Sequence, residues 1–158
     1  MLTSQTRVGV VGAGAMGSGI AQVAAAAGHD VVLSDAMPGA AARAGAALAG
    51  TLAALVAKGK LDEQVCAAIV ARIAVVDAAL GDNVGVLADC GLVIEAIVED
   101  LVAKRALFTR LGGVVAPDAI LASNTSSLAI AAIAGGCPSP ERVIGMHFFN
   151  PAPVLPLV

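Results

Sequence analysis

Arg7-Val-Gly-Val-Val-Gly-Ala-Gly-Ala-Met-Gly17 is the stretch that decides how this chain folds. Arg7 to Val11 is a short apolar run ended by glycine, the pattern of a buried strand. Gly12, Gly14 and Gly17 then fall in the order G-x-G-x-x-G, and Ala15 to Ala27 follows as an alanine-rich, proline-free helix stopped by Gly28. In such a loop the first glycine permits a tight turn. The second lets a pyrophosphate approach the backbone, and the third lets helix and strand pack closely. The free N–H groups and positive dipole end of the helix suit phosphate. Val31 to Ser34 is a second strand, and it delivers Asp35 about 20 residues beyond the first glycine, where a carboxylate accepts hydrogen bonds from ribose hydroxyls. Gly12, Gly14, Ala15, Met16, Gly17 and Asp35 are thus candidate dinucleotide ligands. The bland alternative is a glycine-rich turn and an unrelated strand-terminal Asp. A carboxylate at position 35 repels a 2′-phosphate. The next residues are Ala36 and Met37, and the next arginine is Arg43, so NAD is favoured over NADP.

Outward from this unit, strands and helices keep alternating. Pro38 opens a helix continuing to about Ala57, and Asp62 caps another running to about Arg72. Ile73–Val76, Leu92–Glu95, Ile120–Ala122 and Arg142–His147 are further strands. Leu101–Leu111 is a helix with a polar face, and Leu128–Ala134 is a short helix. The strands are apolar throughout rather than alternating, which predicts an α/β domain with a doubly wound, mostly parallel sheet covered on both faces. The 158 residues make one domain, 1–158, with no internal linker.

Composition narrows the function classes. Hydrophobic residues make up 58% and charged residues 13%, which excludes global disorder. The net charge of −3 and the absence of Trp and Tyr leave neither a basic footprint nor a stacking platform for nucleic acid. Val8 to Gly28 carries no formal charge and is long enough to span a bilayer, but six glycines and Gln22 interrupt it, and the glycine spacing has the better explanation above. No membrane partner is expected. Cys66, Cys90 and Cys137 are odd in number and widely spaced, which suits reduced thiols and a cytoplasmic protein.

Four segments carry a resemblance over essentially the whole chain: GAGAMGSGIAQVAAAAGHDVVLSD, VIEAIVEDLVAKRALF, LASNTSSLAI and RVIGMHFFNPAPVLPLV. The chain resembles the Rossmann-type NAD-binding domain of L-3-hydroxyacyl-CoA dehydrogenases. The last two segments are the specific ones. Read from the residues alone, His147 ends a strand at the carboxyl edge of the sheet, where ligands sit in such folds, and imidazole suits proton transfer near neutral pH. The resemblance implies that His147 is the general base in NAD-dependent oxidation of an L-3-hydroxyacyl-CoA to the 3-ketoacyl-CoA.

Ser126, by pattern, caps the helix from Leu128; the resemblance instead has it bond the substrate oxygen. Asn150 is by pattern a turn residue before Pro151, and the resemblance puts it near the nicotinamide. Glu99 and Lys104 by spacing make a solvated helix face; the resemblance puts both near the nicotinamide ribose. Thr51 and Lys58 lie two turns apart on one helix, and the resemblance makes that region the CoA nucleotide site. No metal is implied.

The resemblance further implies a carboxylate orienting His147 at position 159, just past Val158, an all-helical C-terminal domain that covers the substrate, and a homodimer. The chain itself is then a nearly inactive monomer, or weakly self-associating through the apolar segment Phe148–Val158. Two other readings stand beside this one: an NAD-binding module without catalysis, and a related β-hydroxyacid dehydrogenase acting on free acids.

Overall fold

The computed structural model describes residue 3 and residues 5–76, 84–155 and 157–158. Its elements, in chain order, are β1 (Val8–Val11), α1 (Ala15–Ala26), β2 (Val31–Ser34), α2 (Ala40–Ala57), α3 (Glu63–Ala71), β3 (Ile73–Val76), β4 (Leu92–Glu95), α4 (Leu101–Val114), β5 (Ile120–Ser123), α5 (Ile130–Ala134) and β6 (Val143–Gly145). The sheet has six strands in the order β3-β2-β1-β4-β5-β6, and every pairing is parallel.

Side chains of a strand alternate between faces, so each apolar strand feeds two cores. Val8 and Val10 join Ile20, Leu33, Leu52 and Phe148 on one face. Val11 joins Val93, Leu107, Phe108, Leu121 and Ile133 on the other. This double burial is why β1, β2 and β4 lack polar alternation. The expectation fails at β3, an edge strand whose outer face has little cover: Val75 is 42% exposed.

Helix starts follow local chemistry. Asp62 caps α3 by accepting from the N–H groups of Gln64 and Val65, at 2.8 and 3.1 Å. Asp100 caps α4 through Ala103 N–H at 2.8 Å. Pro38 does not open α2. Gly39, at φ 74°, makes a left-handed turn first, and the helix begins at Ala40. By length and composition α2 could cross a membrane, but its Ala41, Leu48 and Leu52 pack into the domain.

The order of strands reverses between β1 and β4, so their carboxyl ends open a crevice. There the carbonyl of Ala96 lies so close to Gly12 that a side chain at 12 would sit 2.5 Å from it, and Gly12 adopts φ 101°. The last strand is shorter than its apolar run suggested. β6 ends at Gly145, and the Met146 N–H bonds the Ser123 carbonyl at 3.0 Å. His147 therefore stands just past the strand, in the loop at the sheet's carboxyl edge. Phe148 and Ala152 are each only 7% exposed, so the start of the C-terminal segment packs on the domain. Val154, Leu155, Leu157 and Val158 remain exposed. Pro156, the third proline of that segment, lies outside the described residues.

Candidate active site

The glycine loop separates its three glycines by reason. A Cβ on Gly17 would stand 1.7 Å from the Gly12 carbonyl oxygen, so helix and loop meet without space. A Cβ on Gly14 would touch nothing within 4 Å, and Gly14 has φ −70°, which any residue adopts. Neither packing nor backbone requires glycine there; a ligand lying against the backbone does. Gly14 is also the N-cap of α1 and carries no side-chain cap. The first N–H groups of the helix are thus left to an anion.

Asp35 ties this loop to β2. One carboxylate oxygen accepts from Ala13 N–H at 2.6 Å and the other from Met37 N–H at 2.8 Å. Each oxygen keeps further acceptor capacity for a ribose hydroxyl. These residues fit an NAD molecule.

Two clefts open at the carboxyl edge. The larger, about 540 Å³, is lined by Gly14, Ala15, Arg43, Thr51, Asn150 and Pro153, among others. Arg43 is thus a wall of the same cleft, although it is eight positions beyond Asp35 in the chain. Thr51 reaches this cleft and donates to the Ala47 carbonyl at 2.9 Å. Lys58 does not line it; it is the exposed C-cap of α2.

The second cleft, about 310 Å³, gathers Met16, Asn124, Ser126, His147, Phe149 and Asn150. Asn150 belongs to both clefts and precedes Pro151 through a cis peptide bond. Among the described residues the Ser126 hydroxyl has no protein partner, and α5 starts only at Ile130 with Ala129 as N-cap. Ser126 is therefore not a helix cap. Thr125 takes the local turn role, its Oγ1 accepting from Leu128 N–H at 3.0 Å.

His147 Nδ1 lies 3.3 Å from the Asn124 carbonyl oxygen. A carbonyl can only accept, so this contact places the proton of the neutral ring on Nδ1 and leaves Nε2 with its lone pair free. Asn124 Oδ1 accepts from Phe148 N–H at 2.8 Å, fixing the backbone beside the imidazole. The ring also meets Phe149 edge-on, with centroids 5.0 Å apart. Asn124 was not singled out in the sequence, where it reads as one more polar loop residue.

Beside the Ser126 loop lies an ionic cluster, buried at Glu95 and Lys104 and exposed at Glu99. Lys104 is 1% exposed and its ammonium stands 2.6 Å from Glu95 Oε1 and 3.3 Å from Glu99 Oε2. The face of α4 bearing Lys104 is not solvated. Glu95, wholly buried at the end of β4, also accepts from Ile97 N–H at 2.8 Å and from Ser123 Oγ at 2.6 Å. Glu99 Oε1 accepts from Thr125 Oγ1 at 2.5 Å, Ser126 N–H at 3.0 Å, and Ser127 N–H and Oγ, each at 3.1 Å. Partial desolvation opposes its charge, but the hydrogen bonds from Thr125, Lys104, Ser126 and Ser127 outweigh that and hold the Glu99 carboxyl down to about 2. Glu95 and Ser123 were missed because a polar residue closing an apolar strand carries no sign of its burial.

The family model for the NAD binding domain of 3-hydroxyacyl-CoA dehydrogenase matches residues 7–158. The chain belongs to that family. The chain is 45% identical to the 3-hydroxyadipyl-CoA dehydrogenase of Escherichia coli K12, over all of this chain and 32% of that protein. It is likewise 45% identical to the 3-hydroxybutyryl-CoA dehydrogenase of Bradyrhizobium diazoefficiens, over 96% of this chain and 50% of that protein. The crystal structure of a 3-hydroxybutyryl-CoA dehydrogenase from E. coli K12 superposes with a TM-score of 0.90 at 45% identity, covering 98% of this chain and 31% of that one. The chain therefore spans between a third and a half of the length of these relatives.

Proposed function

We propose that this 3-hydroxyacyl-CoA dehydrogenase domain serves, within a longer polypeptide, the NAD-dependent oxidation of an L-3-hydroxyacyl-CoA to its 3-ketoacyl-CoA. One observation carries the reading: His147, Ser126 and Asn150 share a cleft with Met16 of the glycine loop. NAD, when bound, accepts the hydride. His147 Nε2 takes the hydroxyl proton, while Nδ1 stays bonded to the Asn124 carbonyl. The free Ser126 hydroxyl holds the substrate oxygen beside that imidazole. Asn150, between the clefts, stands at the nicotinamide end, and Glu99 and Lys104 support the nicotinamide ribose. Thr51 in the larger cleft and Lys58 beyond it serve the CoA nucleotide.

The remaining parts of the proposal concern setting. The curated relatives are two to three times as long as this chain, so the proposed reaction is assigned to a longer polypeptide. The chain alone is then nearly inactive. The three cysteines are free thiols, and burial pushes the Cys90 thiol up to about 11, with Arg7 pulling it down and Asp89 raising it. Free thiols support a cytoplasmic setting, and the net charge of −3 supports neither a nucleic-acid nor a membrane partner.

Acetoacetyl-CoA-dependent NADH oxidation tests the activity. The longer polypeptide should show it, and His147→Gln should lower turnover by roughly 10²–10⁴-fold, the usual worth of a general base, with NAD affinity nearly unchanged. Full turnover in that variant would remove His147 from the chemistry. Turnover on free 3-hydroxy acids but not on acyl-CoA would favour the β-hydroxyacid reading, and NAD binding with neither activity would leave a binding module.

A further inference from the structure

Burying the Glu95–Lys104 pair costs desolvation that an apolar pair of like volume would not, so the pair is weak evidence for stability as such. Its connections say more. Glu95 meets the β5–α5 loop twice: its side chain takes the Ser123 hydroxyl at 2.6 Å, and its carbonyl takes the Asn124 N–H at 2.9 Å. Through Lys104 it reaches Glu99, whose Oε1 gathers Thr125, Ser126 and Ser127. The segment from 123 to 127 is therefore held at both ends by one residue: at Ser123 by the Glu95 carboxylate and at Asn124 by the Glu95 main-chain carbonyl, and at Thr125–Ser127 from that carboxylate through an ammonium and a second carboxylate. That loop presents the Ser126 hydroxyl, and its Asn124 carbonyl takes His147 Nδ1.

We infer that Glu95 is a positioning residue: with Lys104 it sets the distance between the Ser126 hydroxyl and the His147 imidazole by fixing the 123–127 loop. The inference rests on the functional reading for the importance of Ser126 and His147, but the linkage itself is a property of the unliganded chain. Glu95 touches neither cleft. Its carboxylate reaches the loop through Ser123, and through Lys104 and Glu99. A displacement of about 1 Å in a reacting pair can cost on the order of 10²-fold in rate, so a rigid buried anchor is worth its desolvation.

The experiment replaces the pair by apolar residues of similar size, Glu95→Leu with Lys104→Met, and reads three things by NMR and melting on the chain itself. If the linkage holds, the double variant folds with a lowered melting temperature, because the Ser123 hydroxyl and the Ile97 N–H lose their acceptor. The Glu99 carboxyl, having lost its cation, then titrates closer to 4.5, and the Ser126 and Ser127 amides exchange at least tenfold faster. In the longer polypeptide the same double variant should lower kcat by about 10²-fold with KM for acyl-CoA little changed. A folded double variant with Glu99 still titrating near 2 and the Ser126 and Ser127 amides as protected as before would overturn the inference, since the loop would then hold itself. Should the double variant not fold, Glu95→Gln, which keeps the volume and an acceptor oxygen, decides by the same amide readings alone, since Lys104 still faces Glu99 there. NAD titration of the parental chain is run beside it. Failure there strikes the functional reading and leaves the loop result standing on its own.

Discussion

Gly14 and Gly17 look alike in the sequence and differ in the structure. Gly17→Ala would drive a methyl into the Gly12 carbonyl, and such overpacking against backbone costs about 1–3 kcal/mol or more. Its melting temperature should fall clearly below the parental one. Gly14→Ala meets open space at an ordinary φ, so its stability should stay within about 1 kcal/mol of the parent, while NAD affinity drops at least tenfold. Thermal melts and calorimetric titrations on the two variants check both statements, and equal effects on stability would dissolve the distinction. At Glu99 the consequence is one of pH. The carboxyl is depressed from 4.5 to about 2 in the folded chain. Its stabilising contribution is therefore complete above pH 4.5 and is lost as pH falls toward 2. Amide signals of Ser126 and Ser127 in the folded chain should shift with a midpoint near pH 2, and Glu99→Gln should abolish the transition. A transition unchanged in that variant would assign it to another group.

Element by element, apolar strands were plain to read. Val31–Ser34, Ile73–Val76 and Leu92–Glu95 have the bounds that their composition suggests, because short runs of Val, Ile and Leu between turn residues have no other good fate in a doubly covered sheet. Legibility failed where tertiary contacts decide. β6 stops at Gly145, after a last ladder bond from Met146 N–H to the Ser123 carbonyl, and nothing in Arg142–His147 announces that. α5 starts late because Thr125 and Ser127 spend their hydrogen bonds on the loop and on Glu99. Lys104 looked like a surface charge because helical spacing does not reveal which face meets a buried carboxylate. The segment after His147 is anchored where Phe148 fills the core beside α1. Phe148→Ala should cost about 3–5 kcal/mol and expose the His147 backbone to protease; a variant as resistant as the parent would show that the segment holds by other contacts.

For the whole molecule, six parallel strands bring residues from 12 to 150 to one edge, where two clefts share Asn150. Phe149 lines the smaller of these clefts, and it and Val154, Leu157 and Val158 of the same C-terminal segment are between 43% and 71% exposed, Val158 at a separate apolar cleft with Val8 and Phe148. Apolar groups left together on a surface tend to find a partner, so the chain alone should show weak, concentration-dependent association by sedimentation, and a strict monomer at high concentration would contradict that. Asp35 and the open backbone at Gly14 select NAD, even with Arg43 lining the same cleft as Gly14. Calorimetric titration of the chain with NAD and with NADP decides this. NAD should bind the more tightly, with the difference narrowed by Asp35→Ala; equal or tighter binding of NADP to the parental chain would refute the selection.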